Sequence, residues 1–143
     1  MNRRVAVLAL ALLSLAAPSF AEVPTGTATI EVKLRGITPG KGTVVVLLFD
    51  SAQGYDASKP IQSNKSDAGA ASMQVTFTDL APGRYAIKAF NDVNNNNVYD
   101  QGIDGLGFSN HVTMSDPSQV PTFSETSFLV KAGVNTQQIT FAK

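Results

Sequence analysis

The residues best suited to chemistry lie in one stretch, NDVNNNNVYDQGIDGLGFSN, Asn91 to Asn110. It holds three aspartates, Asp92, Asp100 and Asp104, around a run of asparagines, Asn94 to Asn97. Calcium takes about six to eight oxygen ligands, and a calcium loop supplies them from alternate positions: 1, 3, 5, 7 and 9, with a last one at 12. With Asp92 at the first position, Asn94, Asn96, the carbonyl of Val98 and Asp100 fall on the next four. Two positions depart from the pattern. Asn97 stands where the loop normally has glycine, although Asn tolerates the left-handed conformation. Ile103 stands where a bidentate glutamate belongs, and Asp104, one residue further, is the candidate sixth ligand. No helices are expected on either side, so this would be a calcium loop carried between strands. The competing reading is a plain surface turn, because Asn, Asp and Gly bond local backbone and accept positive φ. With two or three carboxylates and neutral amides, Ca²⁺ would bind weakly, in the range of about 0.1–1 mM found for extracellular modules.

No catalytic residue is assigned. His111 is the sole histidine. On a strand it would share a face with Ser109, but no acid stands ready to orient the imidazole, and a triad demands that third group. Zinc needs several His or Cys ligands, which are missing. Tyr55, Tyr85 and Tyr99 could line a sugar-binding surface. Tyr85, however, falls on the core face of its strand, and Tyr55 and Tyr99 fall in loops as caps of the sandwich.

The chain that must position these residues opens MNRRVAVLALALLSLAAPSFAEVP. A basic start, an apolar run from Val5 to Ala16, and small residues at Ser19 and Ala21 predict a signal peptide over residues 1–21. The run is too short to span a bilayer. The mature chain, 22–143, then carries nine basic against eleven acidic residues, a net charge of −2. It offers no basic patch for nucleic acid. It has no cysteine and no later apolar stretch long enough for a membrane span. A single monomeric domain, periplasmic or secreted, is expected, held by its core without disulfides.

Hydrophobic residues recur with period two, the mark of half-buried strands. Ile30, Val32 and Leu34 share one face. Thr43 to Asp50 is continuously apolar, with Val44, Val46 and Leu48, or else Val45, Leu47 and Phe49, pointing inward. Val75 and Phe77, then Tyr85 and Ile87, continue the pattern, with Phe128, Ile139 and Phe141 completing the expected core. Strands are also expected at 108–112, 124–131 and 134–141. "ITPGKG" reads as a hairpin turn, Pro82-Gly83 as a turn, and Ala132-Gly133 as the link between the last two strands. Residues 51–71 read as a long polar connection with at most one helical turn. About seven short strands imply an all-β, antiparallel two-sheet sandwich starting near Thr25, immunoglobulin-like or transthyretin-like.

The motifs "GTVVVLLFD", "DLAPGRYAIKAFNDVNNNNVYD", "GLGFSN" and "PTFSETSFLV", in that order, resemble the bacterial domain-of-unknown-function family 2141. The likeness runs from Ile30 to Phe141. It implies a small exported β-protein and no activity. The family usually has His where this chain has Asn91 and Gly where it has Asn97. It also often has a longer segment than "QGIDGL" before G-F-S-N. "L-x-P-G-x-Y" is also similar to transthyretin-like sandwiches, at the level of fold alone. Two functional classes follow. The first is a non-enzymatic, calcium-stabilised module binding an envelope protein or glycan. The second is a hydrolase of an envelope polymer using Asp92, Asp100 and Asp104, which would need a cleft and a carboxyl group held protonated by burial.

Overall fold

Eight strands and two short helices follow one another along residues 26–142, the part of the chain that the structure, a computed structural model, describes. The expected signal peptide lies outside the described residues. The strands are β1 (Ala28–Arg35), β2 (Thr43–Phe49), β3 (Gln62–Asp67), β4 (Ser72–Leu80), β5 (Gly83–Asp92), β6 (Gly105–Phe108), β7 (Phe128–Val130) and β8 (Gly133–Thr140). The helices are α1 (Ala52–Asp56) and α2 (Phe123–Thr126). One sheet has the order β4-β1-β8. The other has β3-β2-β5-β6, with β7 also pairing β5. The all-β, two-sheet architecture is therefore as the alternation demanded, with one strand more than the count of about seven. One pair departs from the antiparallel rule: β8 lies parallel to β1, Ala28 opposite Gly133 and Arg35 opposite Thr140.

The core is built by the period-two faces. Ile30, Val32, Leu34, Val44, Val46, Leu48, Val75, Phe77, Tyr85, Ile87, Phe128, Ile139 and Phe141 are all buried. Of the two inward sets open to β2, the one containing Val44, Val46 and Leu48 faces the core. Phe49 is buried as well, in a second cluster with Tyr55 and Ala86 on the outer side of the sheet. The two helices sit there. Tyr55 belongs to α1 rather than to a loop. Its ring meets Phe49 at 5.2 Å and Phe123 at 6.0 Å, both edge-on, and its hydroxyl donates to the Pro121 carbonyl at 2.8 Å.

Several local expectations are corrected. "ITPGKG" is not a hairpin, because β1 and β2 belong to different sheets. It is an arch across the core, as is the Pro82-Gly83 turn, where the Tyr85 hydroxyl donates back to the Ala81 carbonyl at 2.6 Å. Ala132-Gly133 likewise carries the chain from one sheet to the other. The connection at 51–71 contains a whole strand, β3. It lies at a sheet edge, where Gln62, Asn64 and Ser66 are only half-buried opposite Leu48, Val46 and Val44, so it adds no residue to the hydrophobic core and is built without apolar ones. The strand expected at 108–112 ends at Phe108, because Asn110 and His111 both take positive φ, 59° and 56°. Two successive left-handed residues make a tight reversal, and a strand cannot continue through them. The segment 124–131 begins as α2, where Thr122 and Glu125 form a reciprocal cap, and only Phe128–Val130 is strand.

Strand β5 is the axis of the larger sheet. Its outer edge is shared: β7 pairs with Gly83 to Tyr85, and β6 with Lys88 to Asn91. The candidate loop leaves the end of β5 at Asp92 and returns as β6 at Gly105.

Candidate metal centre

The loop closes through its carboxylates. Asp92 and Asp104 are both fully buried. Asp92 sits at the last position of β5, and its two oxygens accept from the backbone N–H groups of Asn96 at 3.1 Å and Asn97 at 2.8 Å. Asp104 spans the loop's two ends, accepting from the N–H groups of Val93 and Asp100, each at 2.8 Å. Buried carboxylates must be compensated, and here N–H donors of the loop itself provide that. Asn95 and Asn97 take φ of 58° and 63°. This is where Asn serves better than most residues, since its short side chain tolerates the left-handed region.

Between these two clamps, the side chains at the third, fifth and ninth positions converge. The amide nitrogens of Asn94 and Asn96 both donate to one Asp100 oxygen, at 2.8 and 2.6 Å. Those two amides hold the Asp100 carboxyl below the usual carboxylate range. Asn96 Oδ1 also accepts from Val98 N–H at 2.9 Å. The structure thus brings Asn94, Asn96 and Asp100 together. Asp92 and Asp104 are placed as backbone clasps at the loop's base. The Val98 side chain is exposed, and Lys65 of β3 reaches across to the Asn97 amide oxygen.

The fit to calcium depends on amide and carbonyl oxygens. Among the described residues, no three His, Cys, Asp or Glu side chains form a group able to hold a metal ion. Turning the Asn94 and Asn96 amides about their terminal bonds would present oxygen where nitrogen now faces Asp100. Asp92 and Asp104 each keep lone pairs beyond the one N–H that each oxygen accepts, since a carboxylate has about four acceptor sites. This donor set is hard and oxygen-only, which suits Ca²⁺ better than a transition metal.

A bacterial family pattern, described as "Uncharacterized protein conserved in bacteria (DUF2141)", matches residues 32–138. The chain belongs to this family. No curated protein and no solved structure matches it. In this DUF2141 chain, the residue before the first loop aspartate is Asn91, and it is structural. Buried at the end of the inner face of β5, it accepts from Thr38 N–H at 2.8 Å and donates to the carbonyls of Lys41 and Thr43 at 3.3 and 3.2 Å. It ties the β1–β2 arch to the strand that launches the loop. Gly42 completes that junction. At φ 69° a Cβ there would lie 1.7 Å from the Asp92 carbonyl oxygen, so only glycine lets the arch meet the loop.

Ser109, in the DUF2141 G-F-S-N sequence, is fully buried and also structural. Its hydroxyl accepts from Ile87 N–H at 2.8 Å and donates to the Thr126 carbonyl at 2.6 Å. It fills the gap along β5 between the ends of β6 and β7. His111 is exposed and is itself one of the two residues that make the reversal, so it and Ser109 do not share a strand face. Sequence reasoning did not single out Lys88. Its ammonium donates to the Tyr55 carbonyl at 2.8 Å and lies 3.7 Å from the centre of the Tyr55 ring. Burial pushes it below the ordinary lysine range, partly offset by Asp56. It staples α1 to the sheet. No local pattern announces it, because its partners come from β2 and α1.

Proposed function

We propose that this protein is an exported, non-enzymatic module whose Asp/Asn loop is stabilised by Ca²⁺, and which acts in the cell envelope by binding a protein or glycan. The ligands are Asp92, Asn94, Asn96, the Val98 carbonyl and Asp100, with Asp104 as a possible sixth. The observation that carries this reading is the convergence of Asn94, Asn96 and Asp100 above two buried carboxylates. Residues 1–21 support export. No helix among the described residues is long and apolar enough to cross a membrane. A polymer-cleaving role would need a carboxyl group held protonated, whereas Asp100 is shifted the opposite way.

The test is a thermal melt of residues 22–143 in chelator and in excess Ca²⁺, with Mg²⁺ as control. Binding to the folded state alone adds about 1.4 kcal/mol at ten times Kd, a rise of roughly 3–6 °C for a domain of this size. Mg²⁺ should act weakly, since it demands tighter octahedral geometry. Asp92→Ala should lose the calcium-dependent rise. Asn95→Gly should keep it, because this position faces away from the ion and glycine preserves its left-handed backbone. Coincident melts, with no calorimetric heat at millimolar calcium, would leave the loop as a turn only.

A further inference from the structure

Strand β6 uses its side chains in reverse. In a sandwich strand the large apolar residues normally face the core. Here the inward positions are glycines: a Cβ at Gly107 would lie 2.4 Å from the Ile139 side chain, and one at Gly105 would lie 2.9 Å from Phe141. The large residues, Leu106 and Phe108, point outward. Phe108 is buried yet belongs to neither hydrophobic cluster. Both line a cleft of about 230 Å³ on the outer side of the sheet. Tyr99 of the loop, and Val112 and Met114 of the segment after the reversal, close its apolar walls. A second space of about 240 Å³ adjoins it, sharing Phe108 and Val112.

The chemistry of the walls restricts the occupant. No Asp, Glu, Lys or Arg lines the cleft, and the lining residues with polar side chains, Tyr99, Gln101, Thr113 and Thr140, are all neutral. A charged ligand would lose its hydration there without a counter-charge. The volume exceeds the roughly 150 Å³ that suffices for one benzene ring. We infer that this cleft is a binding site for a small, uncharged ring compound bearing a hydroxyl group. Its apolar body would lie against Leu106, Phe108 and Met114, and its hydroxyl would meet Thr113 or Thr140. Small ligand sites generally combine such walls with a few neutral polar groups.

The experiment titrates phenol and cyclohexanol into residues 22–143, following the methyl resonances of Leu106, Val112 and Met114 by NMR. Benzoate and cyclohexylammonium serve as charged probes of the same shape. The titrations run in chelator and again in calcium, so the result stands whether or not the loop binds metal. The expected result is saturable shifts at these methyls with Kd on the order of 1 mM, as suits so few atoms, and at least tenfold weaker binding of both charged probes. Thr113 is exposed, so Thr113→Lys should fold. It should weaken phenol several-fold while admitting benzoate. The inference is overturned if no neutral probe saturates, if benzoate binds wild type as well as phenol does, or if the shifts fall on residues of the Phe49–Tyr55–Phe123 cluster and leave the methyls of Leu106, Val112 and Met114 unmoved.

Discussion

Replacing Asn91 by alanine should destabilise the fold through the junction that launches the loop. The side chain is 1 % exposed and makes three hydrogen bonds, at 2.8, 3.2 and 3.3 Å, all to the backbone of the β1–β2 arch and of Thr43, the first residue of β2. A net hydrogen bond contributes about 0.5–1.5 kcal/mol, and a polar group left without a partner costs more. The two bonds from Nδ2 are long and belong at the low end. The bond from Thr38 N–H is short, and its loss leaves a half-buried donor. Together they come to roughly 3 kcal/mol. Unfolding entropy of about 2.1 cal/mol/K per residue over some 120 residues converts this to a fall of about 12 °C in melting temperature. Thermal and urea melts of wild type and Asn91→Ala measure it, and the urea slope should be unchanged if only stability moves. A variant melting within about 2 °C of wild type would refute the role given to Asn91.

Three further outcomes follow. Gly42→Ala should cost about 3 kcal/mol or more, combining the left-handed penalty with overpacking against the Asp92 backbone, read as a loss of melting temperature or of soluble yield. Tyr55→Phe should lower stability by roughly 1–2 kcal/mol in a urea melt, because the Pro121 carbonyl loses its donor. Below pH 4 three local contacts should loosen, that of Asp100 within the loop and those of Asp116 with Ser118 and Glu125 with Thr122 after it, because all three carboxyls have lowered folded-state pKa values. Their contribution is present above the unfolded values and is lost as pH falls through the folded ones. Hydrogen exchange at Asn94 to Asp100 should therefore rise on acidification, and unchanged protection from pH 5 to pH 2 would oppose it.

The sandwich was legible where one strand face meets the core and the other meets water, as at Ile30, Val32 and Leu34. It was ambiguous at β2 for a physical reason. α1 and α2 cover part of the outer face, so Leu47 and Phe49 are apolar for a second, smaller cluster. β3 was hidden because an edge strand such as Gln62–Asp67 needs no apolar face. Turn residues such as Pro39 and Gly40 encode a change of direction but not which sheet receives the chain, so the arch between β1 and β2 reads as a hairpin. The start of α2 did carry a signal, Thr122 followed by Glu125 three residues later, the pattern of a capping box. In the candidate site, the alternate spacing lets the amides of Asn94 and Asn96 both reach Asp100. That Asp92 and Asp104 clasp backbone N–H groups depends on the loop's closed path, which spacing alone does not describe. The roles of Asn91, Ser109 and Lys88 rest on partners 17 to 53 residues away in sequence.

The claim that the loop is a calcium site is tested most directly by titrating Ca²⁺ into ¹⁵N-labelled residues 22–143 and following the backbone amides. The account expects saturable shifts concentrated between Asp92 and Asp104, complete by about 10 mM, ten times the weakest expected Kd. They should be largely absent with Mg²⁺ and absent in Asp92→Ala. Amides of Asn94 to Asp100 that do not move at that concentration, or that move equally with Mg²⁺, would contradict it.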